Sequence, residues 1–270
     1  MPAEPIYSFA ALRNRLTVTG ALVTQTGLRI GAGRDSSVIG NDLPVLRDAL
    51  GAPFIPGASL KGSFRARIEA LIRSVAPDQA SDLQQIEDRM RHEVPDWDNA
   101  QVWSQSTLVD LTFGAPWLAG RLCFKDALVE RSLWFGQFEI RNGVALNRDS
   151  ETAEQGLLYD YEVVPAGTSF DFELSIENAA DWQLGMVLLA LQPWERGEVQ
   201  LGGFRSRGLG YVQLQGVKRH FVALRRGNAD DVLALLDNTG NREPSAETIG
   251  AWSTAFRTKL TQVAAGQEAH

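Results

Sequence analysis

The sequence predicts an α+β protein whose elements run strand, helix, strands, helix, strand, and three observations carry that expectation. Phe170, Phe172, Leu174 and Ile176 alternate cleanly with polar residues, the period of a half-buried strand. Leu60, Phe64, Ile68, Leu71 and Ile72 recur at the spacing of an amphipathic helix. A second apolar helix over 181–191 precedes a last alternating strand at 211–215. This βαββαβ order is that of a ferredoxin-like core.

In chain order, residues 13–25 alternate Val, Leu and Thr and predict the first strand. A polar, glycine-dotted loop follows, from Gly27 to about Gly51. Phe54-Ile55-Pro56-Gly57 leads into the first helix, with Ser59 as its expected N-cap. Residues 76–110 are acidic and mostly helical by pattern, break at Pro95, and predict an insertion. Leu122-Cys123-Phe124 is a short buried strand, and 134–177 holds two or three strands around a polar excursion at about 142–158. Val163 to Thr168 is a turn, and Gly202 to Gly210 a glycine-arginine loop. Helices near 229–236 and 246–263 close the chain; Ile249, Trp252, Phe256, Leu260 and Val263 form a packing stripe on the second. The expected organisation is a core over 1–225 and a C-terminal helical extension over 226–270.

Composition narrows the function. The 270 residues carry a net charge of −7, with one cysteine, Cys123, and three scattered histidines. Disulfides within the chain, cysteine-based zinc sites and Ser-His-Asp or Cys-His catalysis are thereby excluded. No apolar run is long enough to span a bilayer and no secretory signal pattern opens the chain, so a reducing cytoplasm is the expected compartment and no membrane partner is expected. Residues 202–226 hold six basic residues and no acid, whereas 149–181 hold nine acids and no base. That polarity fits a basic groove on an acidic body, or simply two solvated faces.

Three constellations could carry chemistry. Lys61, Gly62 and Arg65 open the first helix: the two cations share a face, Gly62 lets a phosphate chain approach, and the helix start adds partial positive charge. A solvated basic face explains the same residues. In Gly202-Gly203-Phe204-Arg205-Ser206-Arg207-Gly208, Gly203 permits backbone contact with a ligand, while Arg205 and Arg207 can fork onto phosphates. Phe204 suits a single-stranded contact; a flexible hairpin is the plain alternative. The loop lacks the Gly-Lys-Ser/Thr of a P-loop. Asp35, Asp42 and Asp48 punctuate the long first loop, where carboxylates bind Mg²⁺ or merely shape turns.

Taken in order, Thr26-Gly27-Leu28-Arg29-Ile30-Gly31-Ala32-Gly33, Asp42-Leu43-Pro44-Val45-Leu46-Arg47-Asp48 and Phe54-Ile55-Pro56-Gly57-Ala58-Ser59-Leu60-Lys61-Gly62 resemble the N-terminal signature of RAMP proteins. Phe113-Gly114, Gly120-Arg121-Leu122 and Asp126-Ala127 are similar to the next block. Asn147-Arg148 through Phe170 resembles the family's thumb hairpin and return strand, and Leu201–Gly210 its glycine-rich loop. The resemblance spans roughly 13–215 and points to the Csm/Cmr-type (Cas-seven group) backbone subunits of type III CRISPR effector complexes. Ala32 stands where the family usually has a glycine, and Leu43 where a small residue is common.

The resemblance implies an RRM-like core with an inserted thumb hairpin and helical insertions. It implies binding of CRISPR RNA and target RNA beside other effector subunits, with copies of the chain or paralogous RAMP subunits stacked along the guide. It implies RNA contacts at Lys61, Gly62, Arg65, Arg148, Gly203, Arg205 and Arg207. It makes Asp42 the candidate catalytic and metal-binding residue of a Mg²⁺- or Mn²⁺-dependent endoribonuclease, with Asp35 and Asp48 as weaker candidates. Two rivals are a structural RAMP subunit that cuts nothing and, more distantly, a small-molecule enzyme on a ferredoxin-like fold.

Overall fold

A computed structural model describes residues 9–33, 43–146, 153–237, 240 and 242–266. The backbone of the molecule is a five-stranded sheet. Its strands are β1 (Asn14–Thr24), β3 (Leu122–Phe124), β7 (Ser169–Glu177), β8 (Val199–Gln200) and β9 (Tyr211–Ala223). Two-residue β2 (Phe54–Ile55) pairs with β4 (Ala127–Leu128), and β5 (Glu139–Leu146) pairs with β6 (Ala153–Val163) as a separate antiparallel hairpin. The main sheet runs β3-β7-β1-β9-β8, and every neighbouring pair is antiparallel.

Helices α1 (Gly57–Arg73) and α5 (Asp181–Glu195) connect β1 to β3 and β7 to β9, so each crosses over one intervening strand. Both cover the same sheet face. Phe64 of α1 lies 5.5 Å from Phe124 and 5.9 Å from Trp194 of α5, which in turn sits 6.2 Å from Phe172. Leu16, Val18 and Leu22 of β1 and the alternating Phe170, Phe172, Leu174 and Ile176 of β7 fill the space between them, all essentially fully buried. Truncating one of these phenylalanines to alanine costs about 3–5 kcal/mol.

The opposite face is polar. β1 presents Arg15, Thr17, Thr19, Ala21 and Val23 there, opposite Glu177, Ser175, Glu173, Asp171 and Ser169 of β7. No residue in these two rows is aromatic. An RRM stacks bases on aromatic residues of its central strands; this sheet has no such platform on those rows.

Residues 76–113 hold two short 3-10 turns and three helices, α2 (Leu83–His92), α3 (Asn99–Ser104) and α4 (Leu108–Phe113). Asp82, Asp98 and Thr107 each close a capping box at their starts. Helices α6 (Ala229–Leu236) and α7 (Ala246–Ala264) end the described chain. The α7 stripe packs on α5 through Gly185, where a Cβ would stand 2.0 Å from the Trp252 carbonyl, and Trp252 joins the main core.

Three boundaries differ from the sequence expectation. Helix α1 begins at Gly57, not after a Ser59 cap, because Asp126, 69 residues away, accepts from the Gly57 N–H at 2.7 Å. That carboxylate occupies the helix start on which the phosphate argument partly relied. Helix α5 continues four residues past Leu191, carrying Trp194 into the core. Strand β9 runs on to Ala223 because Gly216, at φ 61°, absorbs a bulge opposite Gly20.

Candidate nucleic-acid interface

The C-terminal end of β1 leads into the glycine segment 26–33, and three other segments converge on it. The first is the loop 201–210. Its ends are tied by Leu201 N–H to the Gly210 carbonyl at 2.8 Å, and it is stitched to the glycine segment by Gly210 N–H to Gly27 and Gly203 N–H to Arg29, at 2.8 and 2.9 Å. Gly202 has φ 75°, and a Cβ on it would meet the Arg29 carbonyl at 2.1 Å, so only glycine fits this seam.

The second is the base of the β5–β6 hairpin. Leu28 bridges to Val164. Tyr161 lies 4.7 Å from Phe204 and 6.1 Å from Tyr159, and the Tyr159 ring lies across Gly143, where a Cβ would collide with it. Phe204 holds a left-handed backbone (φ 56°) that turns its ring onto Tyr161 rather than out to solvent. The ring therefore serves as a shelf for cations: the Arg29 and Arg207 guanidinium carbons lie 5.2 and 5.0 Å from its centroid. Arg207 also donates to the Tyr159 hydroxyl.

The third is 43–47. The Leu43 carbonyl accepts from Glu162 N–H at 3.1 Å, Gly31 bridges to Val45, and Leu46 N–H donates to Ile30 at 2.8 Å. Glu162, largely buried, accepts from Val45 N–H at 3.1 Å and from Arg47 at 2.7 Å, while the Arg47 guanidinium lies 4.0 Å from the Phe138 ring centroid. Residues 30–31 and 43–46 are thus tied to one another beside the glycine loop and the hairpin base. Asp35, Asp42 and Arg148 lie outside the described residues. Asp48 is described: it accepts from Leu50 and Ala52 N–H, both at 2.9 Å, and pairs with Arg131 at 2.7 Å. Those backbone donors, Ala52 first, hold its carboxyl below the usual range. It shapes its turn.

Lys61, Gly62 and Arg65 sit apart from this convergence, on the first turns of α1 beside 110–123. Gly62 faces open space. Burial holds the Lys61 ammonium below its usual pKa, and among the described residues it has no hydrogen bond or ion pair. Arg65 is engaged within the protein: it pairs with Glu69 at 2.6 Å, donates to the Gly114 carbonyl at 2.8 Å and approaches the fully buried Asp110 at 3.5 Å. The structure therefore groups Gly203, Arg205 and Arg207 with Arg29 and leaves the α1 residues as a second, separate cluster. Arg205 is exposed on the loop's 3-10 turn.

Arg29, Tyr159, Tyr161, Glu162 and Arg47 are the residues that sequence reasoning did not assign to the site. The Tyr-x-Tyr spacing before Val163 is the one signal that could have marked the hairpin base. As for a metal, no group of three or more His, Cys, Asp or Glu among the described residues is placed to hold one. Asp48 and Glu162 are already engaged.

The sequence profile of the RAMP superfamily matches residues 21–213, which contain all four converging segments. A protein of Methanocaldococcus jannaschii named "CRISPR system Cms endoribonuclease Csm3" is 26% identical over 219 residues, 77% of this chain and 81% of its own. A protein of the same name from Methanothermobacter thermautotrophicus is 27% identical over 209 residues, 74% of this chain and 84% of its own. A Mycobacterium tuberculosis protein, again of that name, is 53% identical over 53 residues, 19% of this chain and 22% of its own. Among the described residues no helix is long and apolar enough to cross a membrane.

Proposed function

Because the chain belongs to the RAMP superfamily, we propose that it is a guide-RNA-binding backbone subunit of a type III CRISPR effector complex. Its core is a ferredoxin-like βαββαβ unit, a reading supported by the strand order β3-β7-β1-β9 and the two interleaved crossovers. The β5–β6 hairpin is the thumb. Copies of the chain or paralogous RAMP subunits stack along the CRISPR RNA, and target RNA pairs with the guide across them.

The observation that carries this reading is the convergence of glycine segment, glycine-arginine loop and hairpin base around the stem of 34–42. Arg205 and Arg207 grip phosphates. The hairpin, with Ile140 and Val144 exposed on one face, wedges beside the duplex and kinks it. A kinked nucleotide brings its own 2′-OH in line with the adjacent phosphorus. Asp42, next to the anchored Leu43, takes the 2′-OH proton as the new P–O2′ bond forms and the P–O5′ bond breaks, leaving a 2′,3′-cyclic phosphate and a 5′-oxygen that takes its proton from solvent water. The Arg47–Glu162 pair holds the 43–47 segment against the hairpin base. Asp42 is the residue that would hold Mg²⁺ or Mn²⁺ together with the RNA, and the ion would supply charge stabilisation.

Purification of the chain from cells that carry its neighbours, followed by sequencing of bound RNA, tests the binding role. Recovery of short RNAs sharing a repeat-derived end supports it. Recovery without RNA or partner subunits rules it out and favours a small-molecule enzyme.

A further inference from the structure

The Arg29 guanidinium is a half-buried cation with no anion among the described residues. Its Nε is buried without any hydrogen-bond partner, and no described residue gives the group an ion pair or hydrogen bond. It shares the Phe204 ring with Arg207, which likewise reaches no carboxylate and donates to the neutral Tyr159 hydroxyl. Two like charges on one ring repel each other, and an unsatisfied buried donor is costly. Burial accordingly lowers the pKa of Arg29. The arrangement contrasts with Arg15, Arg47, Arg131, Arg219 and Arg225, each of which has its carboxylate within 2.7 Å.

Two glycines border the end of this guanidinium. A Cβ on Gly31 would stand 3.0 Å from Arg29 Nη1, and a Cβ on Gly203 3.4 Å from it. A side chain at either position would crowd or cap the fork. Glycines on two separate segments thus place no side chain against the same nitrogen, while the Phe204 ring lies 5.2 Å from the guanidinium carbon. An open, desolvated, planar fork of donors beside a second arginine matches a phosphodiester oxygen pair.

We propose that Arg29, framed by Gly31, Gly203 and Phe204, is a dedicated seat for one phosphate of the bound RNA, with Arg207 as its second cation. The seat rests on the functional reading above and adds to it a residue on the segment that leads directly into the 34–42 loop. The phosphate held there fixes the RNA backbone at the foot of that loop.

The test is fluorescence anisotropy of a single-stranded RNA oligonucleotide against the full chain, titrated at several salt concentrations, for wild type, Arg29→Gln and Arg29→Lys. Each phosphate contact on a single strand contributes about 0.7 to the slope of log affinity against log salt. Arg29→Gln is expected to reduce the slope by about that amount, and Arg29→Lys, which keeps the charge, to restore most of it. Thermal melting separates the seat from a merely structural arginine: Arg29→Gln should melt at or above the wild-type temperature, because it removes an unsatisfied buried charge. An unchanged slope in Arg29→Gln, or a lowered melting temperature with an unchanged slope in both variants, would overturn the seat. A wild-type chain with no RNA affinity overturns the functional reading itself and the seat with it.

Discussion

The start of α1 and the loop 201–210 look alike in sequence, each a pair of cations beside glycine, yet the fold uses them differently. On α1, Arg65 is tied to Glu69, Asp110 and Gly114, and the helix start is occupied by Asp126. On the loop, Arg205 stands exposed, and among the described residues neither Arg207, which donates to the Tyr159 hydroxyl, nor the neighbouring Arg29 has a carboxylate partner. Basic residues mark a nucleic-acid surface only where the protein withholds their carboxylates. By that measure the glycine loop is the proposed grip, Lys61 and Gly62 stand as a separate cluster, and Arg65 braces α1 against Asp110 and Gly114.

The largest effect that could break this contrast is at Arg65. Removing it strands the buried Asp110, whose Oδ1 has no other partner, and breaking a buried pair costs about 3 kcal/mol or more. Urea denaturation of Arg65→Ala should show that loss, while the folded fraction keeps its RNA affinity. Weakened RNA binding at full stability would make α1 the primary grip. Next is the loop itself. Gly202→Ala forces a Cβ into the Arg29 carbonyl, whereas Gly208→Ala, at φ 82° with nothing within 4 Å, meets only backbone strain of about 1–2 kcal/mol. Thermal melts should therefore rank Gly202→Ala below Gly208→Ala, and equal values would mean that the seam between 27–29 and 201–210 is loose.

Smaller still is Arg205→Ala, which touches no packing. It should leave melting unchanged and lower the salt slope of RNA binding by about 0.7, equally for unrelated sequences. A loss confined to one RNA sequence would turn the loop from a backbone grip into a base reader. The smallest effect lies far from the site. Arg225 holds the Asp231 carboxyl down to about 2, so the pair's contribution is complete above the ordinary carboxylate range and fades as pH falls from about 4 through that folded value. Arg225→Ala should narrow the stability difference between neutral and acid pH without altering RNA affinity at neutral pH.

Much of the fold was legible because its signals are local. The Phe170–Ile176 alternation became β7, the Leu60–Ile72 spacing became α1, and the Val163–Thr168 turn closes as expected, with Gly167 at φ 81°. What escaped depends on distant partners. The α1 start is set by Asp126, β9 crosses a bulge paired with Gly20, and α5 outruns its expected end to bury Trp194. The candidate site divides the same way. Gly203, Arg205 and Arg207 can be proposed from the local glycine-arginine motif, whereas Arg29 stands out only through what it lacks among the described residues, a property of the assembled fold. Phe204 was expected to face a base, but its left-handed backbone turns it inward.

The central claim, that an RNA-binding RAMP subunit cuts its target from the 34–42 loop, is tested most directly by single-turnover cleavage of a matched RNA in the assembled complex. Wild type, Asp42→Ala and Asp35→Ala are compared with Mg²⁺ present and with metal chelated. Asp42→Ala should lose cleavage by a factor of about 10² or more, with guide content unchanged. Asp35→Ala should cut near the wild-type rate, and a DNA target, lacking the 2′-OH, should survive. Wild-type cleavage by Asp42→Ala would contradict the catalytic assignment, and an intact complex that never cuts would leave a structural subunit in its place.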